Sequence, residues 1–246
     1  RLACDDGLSF DYANNGTLKV GLRAEGGRQL DAFRRYCDET GQSRHFQDFT
    51  AAEVQNEIAS PYLGEGFLDR RGGTFNPLKL IRGLHDLVVQ AGVSTFEYSP
   101  AVHIATNRSD LSVHTGMGSV RCQKLILALN GYQSRFVPRL GGIPARQQRQ
   151  LMVRASATSP LSASQWAEVG WDRRCGINVV SDLFFSFAPT STGEIVTVSG
   201  LSMDSALTAP EADWMLRNDA ARDLGSFFPA LQGIAVEQGW GGLISA

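Results

Sequence analysis

The sequence is poor in the residues that build metal sites, and those it has are dispersed. Its four cysteines form no C-x-x-C pair, and its four histidines show no spacing typical of metal ligands. Structural zinc sites need such closely spaced pairs. We therefore predict no metal site and expect the cysteines to be scattered packing residues.

Long charged runs and long apolar runs are also missing. The formal net charge is -2, and no basic run is long enough to form a patch that binds nucleic acid or an anionic membrane. No apolar run reaches the roughly 18 residues of a membrane span, and no signal peptide opens the chain. These absences predict no nucleic-acid partner, no membrane span and a cytoplasmic location.

Two catalytic patterns are absent as well. The sequence shows no Ser-His-Asp or paired-carboxylate constellation. It also has no G-x-G-x-x-G after a strand, the spacing that holds a dinucleotide pyrophosphate, and no acidic residue placed to bind the ribose. The chain begins at Arg1 rather than Met and stops at Ala246, soon after "GWGG". We therefore expect an internal piece of a longer chain.

The first half of the chain alternates short strands with helices. Residues 16–22 alternate apolar and polar side chains, which predicts a half-buried antiparallel strand. Helical spacing predicts helices over about 27–41 and 77–91, and Thr50 followed by Glu53 predicts a capping box that starts another short helix. The remaining predicted elements are strands over 93–98, 101–106 and 124–130, the last one fully buried, and a hairpin of 111–115 with 119–122.

The second half is dominated by longer strands. Alternating patterns predict strands over 150–156, 183–189, 194–200 and 233–242, the last ending in a Gly-rich turn, with a helix over 211–227 before it. A fully apolar strand is typical of a sheet covered on both sides, whereas alternation is typical of a sheet with one open face. The chain therefore predicts an α/β fold, mixed with α+β features, in which two subdomains are interleaved.

The stretch "RRGGTFNP", residues 70–77, resembles a phosphate-binding loop only at first sight. No buried strand is predicted before it, and the six-residue glycine spacing is missing. Asn76 fits a helix N-cap and Pro77 the first helical turn. We therefore interpret Gly72 and Gly73 as a hinge between the two subdomains.

Four segments occur in an order that resembles a known family. They are "DDGLSFDYANNGTLKVGL", "RRGGTFNPLKLIRGLHDLVVQAGVSTFEYSPAVHI", "QKLILALNGYQSRFVPRL" and "FPALQGIAVEQGWGG". Together they resemble the FAD-dependent oxidoreductases of the D-amino-acid oxidase type, and most of all the γ-glutamylputrescine, glycine and sarcosine oxidases. The resemblance covers nearly the whole chain, without the family's N-terminal G-x-G-x-x-G unit and its C-terminal flavin segment.

The resemblance implies a partial Rossmann-like FAD-binding domain interleaved with an antiparallel-sheet substrate domain. The implied boundaries are 1–66 and 146–239 for the substrate domain, and 67–145 and 240–246 for the FAD-binding domain. The implied reaction oxidises the C–N bond of a small amine or amino acid by hydride transfer to flavin N5, followed by hydrolysis of the imine. Two alternatives stay open: a non-catalytic remnant or interaction module, and oxidation of a C–OH substrate.

The family's cofactor contacts carry over to eight positions. The resemblance implies that Val102 contacts the adenine, that the backbone of residues 128–131 passes close to the cofactor, and that residues 240–242 lie near the isoalloxazine ring. These positions are Val102, Ala128, Leu129, Asn130, Gly131, Trp240, Gly241 and Gly242. Leu129 replaces the small polar residue usual in the family.

No catalytic side chain is predicted, but the substrate pocket has four candidates: Gly73, Tyr132, Arg149 and Phe185. Arg149, like its neighbours Arg146 and Arg154, stands where the chain re-enters the substrate sheet and is able to pair a substrate carboxylate; a solvated surface arginine is the alternative. Phe185 stands on an aromatic strand face that either lines a pocket or packs in the sheet core.

Overall fold

In a computed structural model, residues 7–23, 27–106, 110–135, 150–181, 185–202 and 213–245 are described. The described helices are α1 Arg28–Glu39, α2 Ala51–Glu57, α3 Pro77–Gln90, α4 Ala163–Val169 and α5 Asp213–Phe227. The described strands are β1 Thr17–Leu22, β2 Phe46–Phe49, β3 Leu63–Asp69, β4 Ala101–Thr106, β5 Leu111–Thr115, β6 Ser119–Cys122, β7 Gln150–Thr158, β8 Gly176–Val180, β9 Phe185–Pro189, β10 Ile195–Ser202 and β11 Val236–Ser245. Short 3-10 helices span Ser43–His45, Asn130–Arg135 and Pro229–Leu231.

Eight strands form one mixed sheet in the order β11-β7-β10-β9-β8-β1-β3-β2. β1 lies inside it, antiparallel to β3 and parallel to β8, so strands from both halves of the chain share one sheet. The remaining strands, β4, β5 and β6, form a separate antiparallel sheet. The mixed α/β fold class is therefore confirmed, while the domain boundaries stay a prediction.

The main core lies on one face of the large sheet, which we call the helix face. Leu18, Ile177 and Phe187 project from β1, β8 and β9 into this core and are almost completely buried. Helices α2, α4 and α5 cover them with apolar side chains, among them Val54, Val169, Leu224 and Phe227, and Phe228, which follows α5, joins the same core. Burial of such large apolar side chains is the main favourable contribution to folding.

Helix starts follow local capping chemistry. The hydroxyl of Thr50 accepts from the N–H of Glu53 and the Glu53 carboxylate accepts from the N–H of Thr50, which confirms the expected capping box. The Asn76 side chain caps α3 by accepting hydrogen bonds from the backbone N–H groups of Leu78 and Lys79, and Pro77 occupies the first turn. Helix α4, which the sequence analysis missed, has a second capping box formed by Ser162 and Gln165.

The opposite face of the large sheet, which we call the open face, is covered at one end only. Helix α1 packs there on the edge strands β3 and β2, where the ring of Phe33 stacks on that of Phe67 with centroids 5.1 Å apart. Gly21 of β1 admits the Leu30 side chain, because a β-carbon there would lie 2.9 Å from it. From β8 to β11 no described α-helix packs on this face, and the 3-10 helix Asn130–Arg135 contacts β11 and β7.

Two predicted strands are wrong. Residues 93–98 and the predicted buried strand at 124–130 form no strand, and Ile126 is 89% exposed. A strand needs a neighbour to pair its backbone N–H and C=O groups, and no described strand lies beside either segment. The apolar side of α3 is likewise exposed, with Ile81 at 63%. The apolar spacing along these segments was read correctly from the sequence. Whether the apolar side chains are buried depends on other segments packing against them.

Three further corrections concern the large sheet. Strands β2, β3 and β8 were not predicted. Because β3 is largely buried and ends at Asp69, a buried strand does precede Gly72, contrary to the argument from sequence. Residues 240–242 lie inside β11, which continues to Ser245, rather than in a turn.

None of the described helices is long and apolar enough to cross a membrane.

Candidate functional site

One row of side chains crosses the open face from β11 to β8. The strand register places Trp240 opposite Ala155, Ala155 opposite Val198, Val198 opposite Ser186 and Ser186 opposite Asn178. Four strand spacings of about 4.8 Å separate the ends of the row, so it spans about 19 Å. Trp240 is 45% exposed, and the row between it and Asn178 contains only small or medium side chains. The row is therefore an open floor of short side chains, long enough to accommodate a planar ring.

A cleft of about 590 Å³ begins at the Asn178 end of this row. Its floor is formed by β1, β8, β9 and β10, and its wall by two neighbouring loops. The polar side chains that line it are Asp11, Asn15, Thr17, Thr74, Asn76, Arg174, Asn178, Ser186, Thr190, Ser191 and Thr192. A volume of this size is typical of small-molecule sites, which combine an apolar lining with a few placed polar groups.

The loop that contains Gly73 forms one wall of the cleft. It pairs with the loop before β1 through two hydrogen bonds between Ala13 and Thr74, of 2.9 and 3.0 Å. A β-carbon at Gly73 would collide with the Ala13 carbonyl oxygen, and one at Gly72 would collide with Thr17. The two glycines therefore permit close packing of this wall on the sheet. Gly73 lines the cleft, and its role in a substrate pocket stays a prediction.

Asp11 joins three parts of the cleft rim. Its carboxylate accepts hydrogen bonds of 2.8 Å from the Lys79 ammonium of α3 and of 2.9 Å from the Ser191 hydroxyl in the β9–β10 turn. The hydrogen bond from Lys79, and after it the one from Ser191, hold the pKa of Asp11 below its usual value. The backbone of Asp11 has a φ of 54°, an uncommon conformation for a non-glycine residue.

Arg174 stands at the end of the cleft, immediately before β8. Its guanidinium carbon lies 3.2 Å from the centre of the Trp166 ring, in a cation–π stack. The Asn15 side-chain amide donates to the Arg174 carbonyl oxygen and fixes the loop. Arg174 also has a φ of 53°, and burial lowers the pKa of its guanidinium, although the nearby Asp172 opposes this shift.

The structure brings two of the predicted cofactor segments together. Gly131 is buried against β11, where an added β-carbon would lie 2.9 Å from the carbonyl carbons of Leu243 and Ile244. The Leu243 N–H donates to the Tyr132 hydroxyl over 3.4 Å. Residues 130–132 therefore pack beside the strand that carries Trp240, and Asn130 has a φ of 46°.

The other predicted cofactor residues are placed as follows. Gly242 shares the open face with Trp240, whereas the alternation of the strand directs Gly241 toward the helix face. Ala128 and Leu129 lie in the irregular segment before the 3-10 helix, and Val102 is half exposed on β4 of the separate sheet. Contacts of these residues with a cofactor stay predictions.

The substrate-pocket candidates separate into different regions. Phe185 lies against Phe227 of α5 with ring centres 5.0 Å apart, which places it in the core rather than at the cleft. Arg154 projects to the helix face and pairs with Asp219 over 3.0 Å, so it does not reach the open face as considered from the sequence. Arg149 and Arg146 lie outside the described residues.

Sequence analysis missed Arg174, Asn178, Ser186 and Asp11 as cleft residues. None of them belongs to a spaced motif, since each comes from a different segment of the chain. The alternation of 183–189 did place Ser186 and Ala188 opposite Phe185 and Phe187, and it is this polar side that lines the cleft. Which of the two faces would be open depended on where α5 packs.

Comparisons with known proteins agree with this architecture. A family model described as "FAD dependent oxidoreductase" matches residues 1–246. The probable oxidoreductase OrdL of Haemophilus influenzae is 29% identical over 89 residues, which are 36% of this chain and 21% of that protein.

Solved structures share the fold over almost the whole chain. Glycine oxidase from Geobacillus kaustophilus is similar with a TM-score of 0.76 and 14% identity, over 99% of this chain and 62% of that one. L-Proline dehydrogenase from P. horikoshii is similar with a TM-score of 0.74 and 14% identity, over 97% of this chain and 62% of that one. The chain thus spans less than two thirds of the length of these two structures.

Proposed function

Because the chain belongs to the family of FAD-dependent oxidoreductases, we propose that it forms the substrate-binding part of an enzyme that oxidises the C–N bond of an amine or amino acid. The names of glycine oxidase and L-proline dehydrogenase, which share its fold, support a substrate of this class. The observation that carries the proposal is the open row of short side chains between Trp240 and Asn178, which continues into the cleft.

The residues of this chain fit the ring end of FAD. The row contains Ala155 and Ser186, whose short side chains permit a planar group to approach the sheet, and the half-exposed Trp240 indole stands at its end. The close packing of Gly131 on β11 brings the backbone of residues 130–132 to the same strand. The residues of this chain do not provide a binding loop for the FAD pyrophosphate, because the sequence contains no G-x-G-x-x-G.

We assign this chain three tasks. Trp240, Gly242 and the backbone of residues 128–131 would hold the ring, and Val102 the adenine. FAD, when bound, supplies the oxidant that removes a hydride from the carbon beside the amine. The cleft residues Asn178 and Ser186 bind and orient the substrate, and their mutual hydrogen bond of 2.8 Å fixes the position of both side chains.

A product assay tests this function. The natural protein at its full length is incubated with FAD and a panel of amines, amino acids and 2-hydroxy acids. We expect the amines or amino acids to yield a carbonyl product together with ammonia or a smaller amine in equal amounts. A carbonyl product formed only from the hydroxy acids would replace this proposal with C–OH oxidation.

A further inference from the structure

Two histidines lie side by side on the outer face of the separate sheet. His103 of β4 is directly opposite His114 of β5, and their ring centres are 5.6 Å apart with 32° between the ring planes. The next pair along these strands, Ile104 and Val113, projects to the other face, where Ile104 is 9% exposed. His103 is exposed and His114 is half-buried, so both rings are open to an ion from solution.

A β-bulge creates this pair of histidines. Ala101 is opposite Thr115. A regular antiparallel register would then place Val102 opposite His114. Instead the register shifts between Ala101 and His103, and His103 takes that position. Bulges re-aim the side chains that follow them, and they are over-represented at sheet edges and next to active sites. The irregularity in β4 therefore has one specific effect, which is to place two imidazoles next to each other.

The separation of the two rings suits a metal ion between them. An imidazole nitrogen binds Zn²⁺ at about 2.0–2.1 Å, which places the centres of two rings on one tetrahedral ion about 5 Å apart. The rings of His103 and His114, at 5.6 Å, reach this geometry by a small rotation of the exposed side chain. The paired strands hold the two β-carbons at a fixed separation, so the backbone does not have to move.

The surroundings of the pair determine how an ion would be held. Ser119 of β6 is opposite His114, and Arg121 projects from the same face two residues farther along β6. The Arg121 guanidinium pairs with Asp110 over 3.4 Å, so its positive charge has a counter-ion. Within the described part of the chain, no group of three or more histidine, cysteine or carboxylate side chains is placed to hold a metal. Water would therefore complete the coordination, which makes the ion exchangeable.

We propose that His103 and His114 together bind one divalent transition-metal ion through their ring nitrogens. Imidazole suits Zn²⁺, Ni²⁺ and Cu²⁺, whereas Mg²⁺ and Ca²⁺ prefer oxygen ligands. Among these ions Cu²⁺ binds most tightly to a given set of nitrogen ligands. The bound ion joins β4 to β5, and because it binds only the folded state it stabilises the protein. This site does not depend on the proposed oxidase function, since neither histidine lines the cleft.

Titration of the natural full-length protein, prepared without a polyhistidine tag, with Zn²⁺ and with Cu²⁺ tests the site. We expect His103→Gln and His114→Gln each to weaken binding at least tenfold by calorimetry, because one imidazole alone does not chelate. His85→Gln is the matched control, since the side chain of His85 is 41% exposed, and we expect a change below twofold. Equal affinity in wild type and His114→Gln would overturn the proposal. Mg²⁺ that binds as tightly as Zn²⁺ would overturn the choice of metal.

Chemical modification locates the ion without any variant. Diethyl pyrocarbonate modifies accessible histidines, and we expect Zn²⁺ to slow the modification of His103 and His114 at least fivefold while leaving His85 unchanged, as read by mass spectrometry. Unprotected His103 and His114 would overturn the proposal even if the protein binds Zn²⁺ elsewhere. Neither measurement needs FAD or turnover, so their outcome is separate from that of the product assay.

Discussion

Ser186 and Trp240 lie on one row of the open face, three strands apart, although 54 residues separate them in the chain. The strand register alone establishes this relationship. It connects the polar cleft near β8 with the exposed indole on β11, and the short side chain of Ala155 lies between them. The proposed site depends on this floor carrying only short side chains between Trp240 and Asn178.

Filling the floor is expected to block the site without unfolding the protein. In Ala155→Phe the added ring projects from the open face, away from the helix-face core. We expect the apparent KM for the amine, or the dissociation constant of FAD, to rise at least tenfold, because the ring occupies the space above the row. Val120→Phe, at an exposed position of the separate sheet, is the control and is expected to have a smaller effect. Unchanged constants in Ala155→Phe would show that nothing binds over this row.

Arg154 provides a contrast on the opposite face. Its ion pair with Asp219 is partly shielded from water, with both side chains 29% exposed. We expect Arg154→Met to lower the free energy of unfolding by about 1–2 kcal/mol, between the values for surface and buried pairs. The KM for substrate is expected to stay within twofold. A large rise in KM with unchanged stability would place Arg154 in the substrate site after all.

Gly131 tests the contact between residues 130–132 and β11. A methyl group there would lie 2.9 Å from backbone atoms that have little room to move. We expect Gly131→Ala to lower the free energy of unfolding by about 1–3 kcal/mol, as overpacking does. Gly116→Ala is the matched control, because a β-carbon added at Gly116 would have no other atom within 4 Å. Equal stability of the two variants in urea would argue against the contact.

The contribution of the Asp11 hydrogen bonds to the stability of the fold is expected to depend on pH. Because hydrogen bonds from Lys79 and Ser191 lower the pKa of Asp11, the folded state favours its ionised form. Its contribution to stability is therefore complete above the ordinary pKa of 3.8 and is lost as the pH falls through the lowered folded value. The difference in unfolding free energy between wild type and Asp11→Asn should shrink over that acidic interval. A difference that does not change with pH would show that the ionised Asp11 carboxylate does not stabilise the fold.

Local chemistry explains which elements could be predicted from the sequence. The helix starts at Thr50 and Asn76 depend on hydrogen bonds within a few residues, so their residue types were sufficient. The strand at 124–130 was wrong for the opposite reason, because a strand also needs a neighbour. β3 was missed because Gly64 and Gly66 interrupt its apolar pattern, although close packing on β1 requires the second glycine.

The candidate site was harder to predict than the fold. Gly73 was named as a candidate because of the turn-forming residues around it, and Trp240 because of a family resemblance, and the roles of both stay predictions. Arg174 carries no motif, and only the structure shows that its neighbour Arg173 has a carboxylate partner while Arg174 has none among the described residues. Unpaired charge is a property of three-dimensional neighbours, which a single sequence does not contain.

The most direct test of the central claim is the visible spectrum of the natural full-length protein, purified with added FAD and then mixed with an amine without oxygen. We expect flavin absorption bands that shift in Trp240→Leu and that bleach as the amine is consumed in equal amount. Protein that retains no flavin after it has been purified with excess FAD would contradict the account, as would bound flavin that no amine or amino acid reduces.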